Sequence, residues 1–336
     1  MKKSLLIATL AVVASFGAVS YAQDLSDNPA FKNATEWLAE PVENADAEAT
    51  TEADMKTYEE TLQTNVEGQT VTFKMIPIKG GEFTMGCEDG EKDEAPAFKT
   101  TVAPFWMEEH EVTWQEFSLF ALLYLANAHK SGAVKSESDR DAIADALAAP
   151  TAPYSIGTIS YDKSNKEGYP ASGMTRYAAQ MYCKWLTAMT GRYYRLPTEI
   201  EWEYACRCGS ETAYEFGDDE AELGDYAWYL DNSADGYSQV MTKKPNSWGL
   251  YDMHGNVREL VKDYYGSLGK DAVTDPKGPT SGSQRVYRGG SFSDAASACT
   301  SSSRGGVSPE LGSYYGPDYS STDIEQQGFR VCIEIQ

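Results

Sequence analysis

Positive charge and histidine are scarce in this sequence. The chain carries 28 Lys and Arg against 51 Asp and Glu, a net charge of −23, and only 3 His among its 336 residues. So few cations can displace few phosphate counterions, which argues against broad nucleic-acid binding and against attraction to anionic membrane surfaces. His110, His129 and His254 stand far apart, without a His-x-x-x-His or His-x-Glu spacing. A three-His iron site or a zinc hydrolase site therefore has almost no material. No Gly-rich phosphate loop follows a strand, and no Gly-x-Ser-x-Gly elbow occurs. The apolar run Leu5 to Val19 is short for a membrane span. Preceded by Lys2-Lys3 and followed by the small residues Ser20 and Ala22, it reads as a signal peptide over residues 1–22. A secreted or periplasmic protein with no transmembrane anchor in the mature chain is expected.

Residues 23–68 are rich in Asp, Glu, Ala, Thr and Asn, and poor in β-branched apolar residues. Such a stretch buries too little to offset its ordering entropy, and is expected to be a mostly disordered acidic leader. The globular body is expected over residues 69–336. Hydrophobic residues at 41% and aromatics at 12% give it ample material for a core. Alternating apolar residues from Val71 and the Gly80-Gly81 step suggest a hairpin. Trp114 to Leu125 reads as a helix capped by Thr113, and a weak helix is expected over 138–148. Thr175 to Thr190 has helical periodicity and stops at Gly191. Thr198-x-x-Glu201 is a capping box that opens a second helix. Short strands are expected at 286–288 and 329–335. The fold class is α+β, with little regular secondary structure in its second half.

Several blocks then fall in order along the body: Met75-Ile76-Pro77 with Gly80-Gly81 and Met85-Gly86; Glu111-Val112-Thr113; Tyr194-Arg195-Leu196-Pro197-Thr198-Glu199; Trp248-Gly249-Leu250-Tyr251-Asp252-Met253; Gly255-Asn256-Val257; Tyr287-Arg288-Gly289-Gly290-Ser291-Phe292; and Gly328-Phe329-Arg330. In these the chain resembles the formylglycine-generating enzyme, or sulfatase-modifying factor, family. The resemblance implies that family's variant of the C-type-lectin fold. It also implies an activity: family enzymes oxidise a sulfatase cysteine to formylglycine, with oxygen and a copper(I) held by two cysteines after the Gly-Gly-Ser motif. Here the first of those positions falls on Asp294 and the second on Cys299. A carboxylate is a poor substitute for a thiolate on copper(I). Cys299, the one catalytic candidate, can equally be a small buried or disulfide-bonded residue.

Asp252 to Glu259 match the family's calcium loop. The resemblance assigns the Asp252 and Glu259 carboxylates and the Gly255 and Val257 carbonyls to the ion, in keeping with calcium's demand for oxygen donors. Arg258 stands where the family usually has Trp, and His254 is expected to be a solvent-facing turn residue. The resemblance also implies a disulfide between Cys206 and Cys332, although the 6 cysteines allow fifteen complete pairings. Calcium is thus the expected cofactor and copper the weaker alternative. The preferred function is a secreted or periplasmic, non-oxidising binding or accessory module for a protein, peptide or carbohydrate ligand. The alternatives are a copper-dependent formylglycine-generating oxidase and a variable lectin-like display protein.

Overall fold

A computed structural model describes residues 49, 51–63, 70–118, 120, 167–173, 176–190, 192–233, 236–269, 278–307 and 326–335. The expected signal peptide, the leader up to residue 48 and the helix at 138–148 lie outside these residues. Among the described residues, no helix is long and apolar enough to cross a membrane.

Three sheets carry the body. A five-stranded sheet has the order β1 (Tyr58–Gln63), β2 (Thr70–Ile78), β5 (Phe105–Glu108), β11 (Cys332–Glu334) and β6 (Tyr194–Arg195). The last strand thus inserts between β5 and the edge strand β6, with Cys332 opposite both Met107 and Arg195. A four-stranded sheet has the order β10 (Gln327–Gly328), β7 (Arg258–Tyr264), β8 (Arg285–Arg288) and β9 (Arg304–Val307), and β3 (Gly81–Met85) pairs with β4 (Phe98–Val102). Helices α1 (Arg176–Thr190) and α2 (Glu199–Arg207) fill the space between. The α+β class holds.

The ordered body begins ahead of residue 69. Tyr58 and Leu62 of β1 pair with Met75 and Val71 of β2, and together with Ala49 and Met55 they join the main core. The alternation that marks this strand is hidden because an inward position holds Glu60. That carboxylate is buried against Arg192 Nη1 at 2.7 Å and the Tyr194 hydroxyl at 2.6 Å. The hairpin expected at Gly80-Gly81 is also corrected. Both edges of β2 are taken by β1 and β5, so the chain crosses there from one sheet to another.

Helix α1 buries Met181, Tyr182, Trp185 and Leu186 in the main core, where each large side chain contributes roughly 1.5–3 kcal/mol. Helix α2 opens with the expected capping box: Glu201 N donates to Thr198 Oγ1 and Thr198 N donates to Glu201 Oε2. All its residues are buried, its charged ones included. A network satisfies them: Arg288 bonds Glu199 and Glu203, Arg304 bonds Glu199, and Arg207 bonds Glu203.

At the same helix start, Glu199 N donates to Asp263 Oδ2 at 2.7 Å. Burial, and after it the Glu199 and Glu201 charges, push the Asp263 carboxyl from 3.8 up to about 7. Between those values the folded protein holds a proton that the unfolded chain has released. The group's contribution is therefore fully present below about pH 4 and is lost as pH rises through about 7. Asp263→Asn keeps an acceptor for the Glu199 amide and removes the titration. It is expected to gain stability relative to the parent between pH 5 and 8, by at most about 4 kcal/mol at the upper end. Melting curves recorded across that range test this, and parallel curves for the two proteins would refute it.

Candidate functional site

The Gly-Gly-Ser segment leaves β8 through two left-handed residues, Gly289 at φ 87° and Gly290 at φ 70°. A Cβ on Gly290 would lie 2.7 Å from Cys299 Sγ, so the bare glycine is what lets the thiol pack on the backbone here. A tight turn follows, in which Asp294 N donates to Ser291 O, and then a 3₁₀ turn over Ala296–Ala298 that delivers Cys299.

Asp294 is fully engaged. Arg258 Nε donates to Oδ2 at 2.9 Å and Nη2 to Oδ1 at 2.6 Å, while Ser291 Oγ donates to Oδ2 at 2.7 Å. The guanidinium also lies over the Tyr287 ring, 4.8 Å from its centroid. Bidentate pairs of this kind are geometrically specific and strong. Cys299 is buried, and burial, reinforced by the Asp294 charge, pushes its thiol up to about 12. It is therefore a neutral thiol at physiological pH. Copper(I) needs two thiolates. One position holds a carboxylate committed to Arg258, which leaves a single cysteine, so these residues do not fit the ion.

The second predicted centre is a loop with Asp252, Gly255 and Asn256 all at positive φ. Glu111 of the Glu-Val-Thr block pins it, accepting from Asn256 Nδ2 at 2.6 Å and from Val257 N at 2.9 Å. The structure brings Asp252 and Glu259 into one buried region. Burial raises the Asp252 carboxyl to about 6, and Glu259 adds to the shift. Asp252 Oδ2 accepts from Met241 N, while Oδ1 is buried without a partner. Glu259 has no such spare oxygen. Oε1 accepts from Arg330 Nη2 at 2.6 Å, and Oε2 from Arg330 Nε at 2.7 Å and Trp202 Nε1 at 2.8 Å. Of the two expected carboxylate donors, Glu259 is thus committed to Arg330 and Trp202, and Asp252 keeps one spare oxygen.

Two further expectations are corrected. His254 is not a solvent-facing residue: it is 1% exposed, paired with Glu215, and its Nδ1 lies 2.6 Å from the Cys299 carbonyl. Burial works against its charge, but Cys206 and Glu215 hold its pKa well above the ordinary imidazole range. The expected Cys206–Cys332 disulfide is absent, and all six cysteines are free. Cys206 Sγ turns toward the Met253 carbonyl and His254, whereas Cys332 Sγ accepts from Arg195 Nη1 at 3.0 Å. The loop-rich second half of the chain is also dense in tyrosine, and of these residues Tyr237 is buried while Tyr226, Tyr229, Tyr264 and Tyr265 are half-buried. Tyr226 stacks on Phe216 at 4.3 Å, and Phe216 on Tyr214 at 5.0 Å. These rings pack the loop half as they stand. Tyr314, Tyr315 and Tyr319 lie outside the described residues.

Residues 61–335 match the sulfatase-modifying factor enzyme 1-like domain. The formylglycine-generating enzyme of Mus musculus is 33% identical over 260 residues, which span 67% of this chain and 68% of that protein. The inactive C-alpha-formylglycine-generating enzyme 2 of Bos taurus is 29% identical over 293 residues, 78% of this chain and 88% of its own. Among solved structures, Treponema denticola variable protein 1 superposes with a TM-score of 0.59 at 24% identity, covering 82% of this chain and 99% of that one. This last likeness is one of fold alone.

Proposed function

The chain belongs to the sulfatase-modifying factor family, and from that premise we propose that it is an exported binding or accessory module that does not oxidise cysteine. One observation carries the reading. The position of the first copper thiolate holds Asp294, and both its oxygens are clamped by Arg258. The remaining cysteine is a neutral, buried thiol. The name of the bovine relative shows that inactive members occur in this family. Beside the altered site, the Leu230 amide donates to the Asp294 carbonyl. The signal-peptide pattern of residues 1–22 supports export.

The test is to incubate the purified protein with a Cys-x-Pro-x-Arg peptide, oxygen and copper, and to follow the peptide thiol by mass spectrometry. No aldehyde is expected, in parent or in Cys299→Ser. Aldehyde formed by the parent and lost in Cys299→Ser would establish an oxidase and overturn the proposal.

A further inference from the structure

Glu108, His110 and Glu116 form a centre that none of the family blocks requires. Glu108 ends β5, His110 follows two residues on, and Glu116 lies in the first turn of the helical stretch 114–118, where the Thr113 hydroxyl donates to its Oε1. One donor atom from each lies within 4.8 Å of the other two, and all three residues are buried. Glu108 Oε1 and Glu116 Oε2 have no hydrogen-bond partner. The Tyr182 hydroxyl, fully buried and likewise without a partner, stands beside the same two carboxylates.

Each carboxylate keeps one oxygen without a partner, since Val331 N donates to Glu108 Oε2 and Thr113 to Glu116 Oε1, and two such groups in apolar surroundings repel each other unless a cation or a proton lies between them. The Arg330 charge reaches Glu108 only as a minor effect, because its Nε and Nη2 are committed to Glu259. We propose that Glu108, His110 and Glu116 bind one divalent transition-metal ion of the zinc class, as a structural site. The donor set is one imidazole and two carboxylates, which suits zinc or manganese and not calcium, an ion that takes oxygen ligands. Burial of all three ligands leaves no open coordination position for substrate, the mark of a structural centre. Tetrahedral zinc separates its donors by about 3.3 Å, so side-chain rotations moving atoms by about 1 Å close the set. His110 Nδ1 lies 3.8 Å from Glu108 Oε1 and 2.8 Å from the Glu111 carbonyl, and it exchanges that carbonyl for the ion on binding. The Tyr182 hydroxyl is available to the fourth position or to a water on it.

The experiment is metal analysis of the untagged full chain purified without chelator. Melting curves follow, after EDTA and after addition of Zn²⁺ or Mn²⁺ alone. About one ion per chain is expected, with a lower Tm after EDTA that Zn²⁺ restores. Glu116→Gln and His110→Gln are expected to weaken Zn²⁺ binding by at least about tenfold. Asp225→Asn, at an exposed ion pair with Lys244, controls for surface binding and should change nothing. Glu116→Gln can hydrogen-bond Glu108 without an ion, so its folding does not depend on the result. A folded parent that neither contains nor takes up Zn²⁺ or Mn²⁺ overturns the site and leaves a proton shared between the two carboxylates. So does a Glu116→Gln protein that binds Zn²⁺ as the parent does.

Discussion

Replacing Arg288 with Met is expected to cost the protein about 3–5 kcal/mol, the loss that follows when one partner of a buried charge pair is removed. Arg288 is 1% exposed, and its Nη2 donates to Glu203 Oε2 at 2.6 Å and to the Ser301 carbonyl at 2.7 Å. Its Nη1 donates to Glu199 Oε1 and to the Ser302 carbonyl. Methionine nearly fills the volume but strands the Ser301 and Ser302 carbonyls and leaves Glu199 and the fully buried Glu203 with less compensation. At a few degrees per kcal/mol for a body of this size, the Tm should fall by on the order of 10 °C. Glu203→Gln alone should also destabilise, because it weakens the pairing of buried Arg207, and the double variant should lose less than the sum of the two singles. A double variant less stable than the sum of the singles would show that charge compensation is not what the pair supplies.

Gly255→Ala is the second large effect, and its cause is steric. Gly255 sits at φ 77°, and a Cβ there would stand 2.1 Å from the Trp228 carbonyl oxygen and 2.9 Å from its carbon. The obstacle is backbone, held by a parallel bridge between Trp228 and Gly255 and by Asn256 N donating to Trp228 O at 2.7 Å. It cannot rotate aside as a side chain would. The expected cost is about 3 kcal/mol or more, combining left-handed strain with a forced shift of the loop. Gly209→Ala provides the contrast. Gly209 has φ 94° but nothing within 4 Å of the added carbon, so the substitution should cost about 1 kcal/mol from conformation alone. Urea unfolding of the two variants separates strain from clash, and equal losses would remove the steric argument.

Local signals were legible in the sequence, and distant pairings were not. The capping box of α2 and the apolar face of α1 depend on residues a few positions apart, and both appear where expected. Strand β1 did not announce itself, because Glu60 occupies an inward position that only Arg192 and Tyr194, more than 130 residues away, make tolerable. His254 read as a turn residue because its partners, Glu215 and the Cys299 carbonyl, come from elsewhere in the chain. The Glu108–His110–Glu116 centre had a faint signature: a Glu-x-His at a strand end, followed by a glutamate one turn into the next helix. A search for histidine pairs alone passes over it. The two positions at which the resemblance implied a departure, Arg258 and Asp294, lie far apart along the chain and are one bidentate ion pair in space.

That pair also ties two positions together for anyone who would rebuild a thiol site here. Cysteine placed at 294 alone would leave the Arg258 guanidinium, 19% exposed and stacked on Tyr287, without its carboxylate. An aromatic residue placed at 258 alone would take from Asp294 the guanidinium that holds both its oxygens. The two positions therefore have to be changed together.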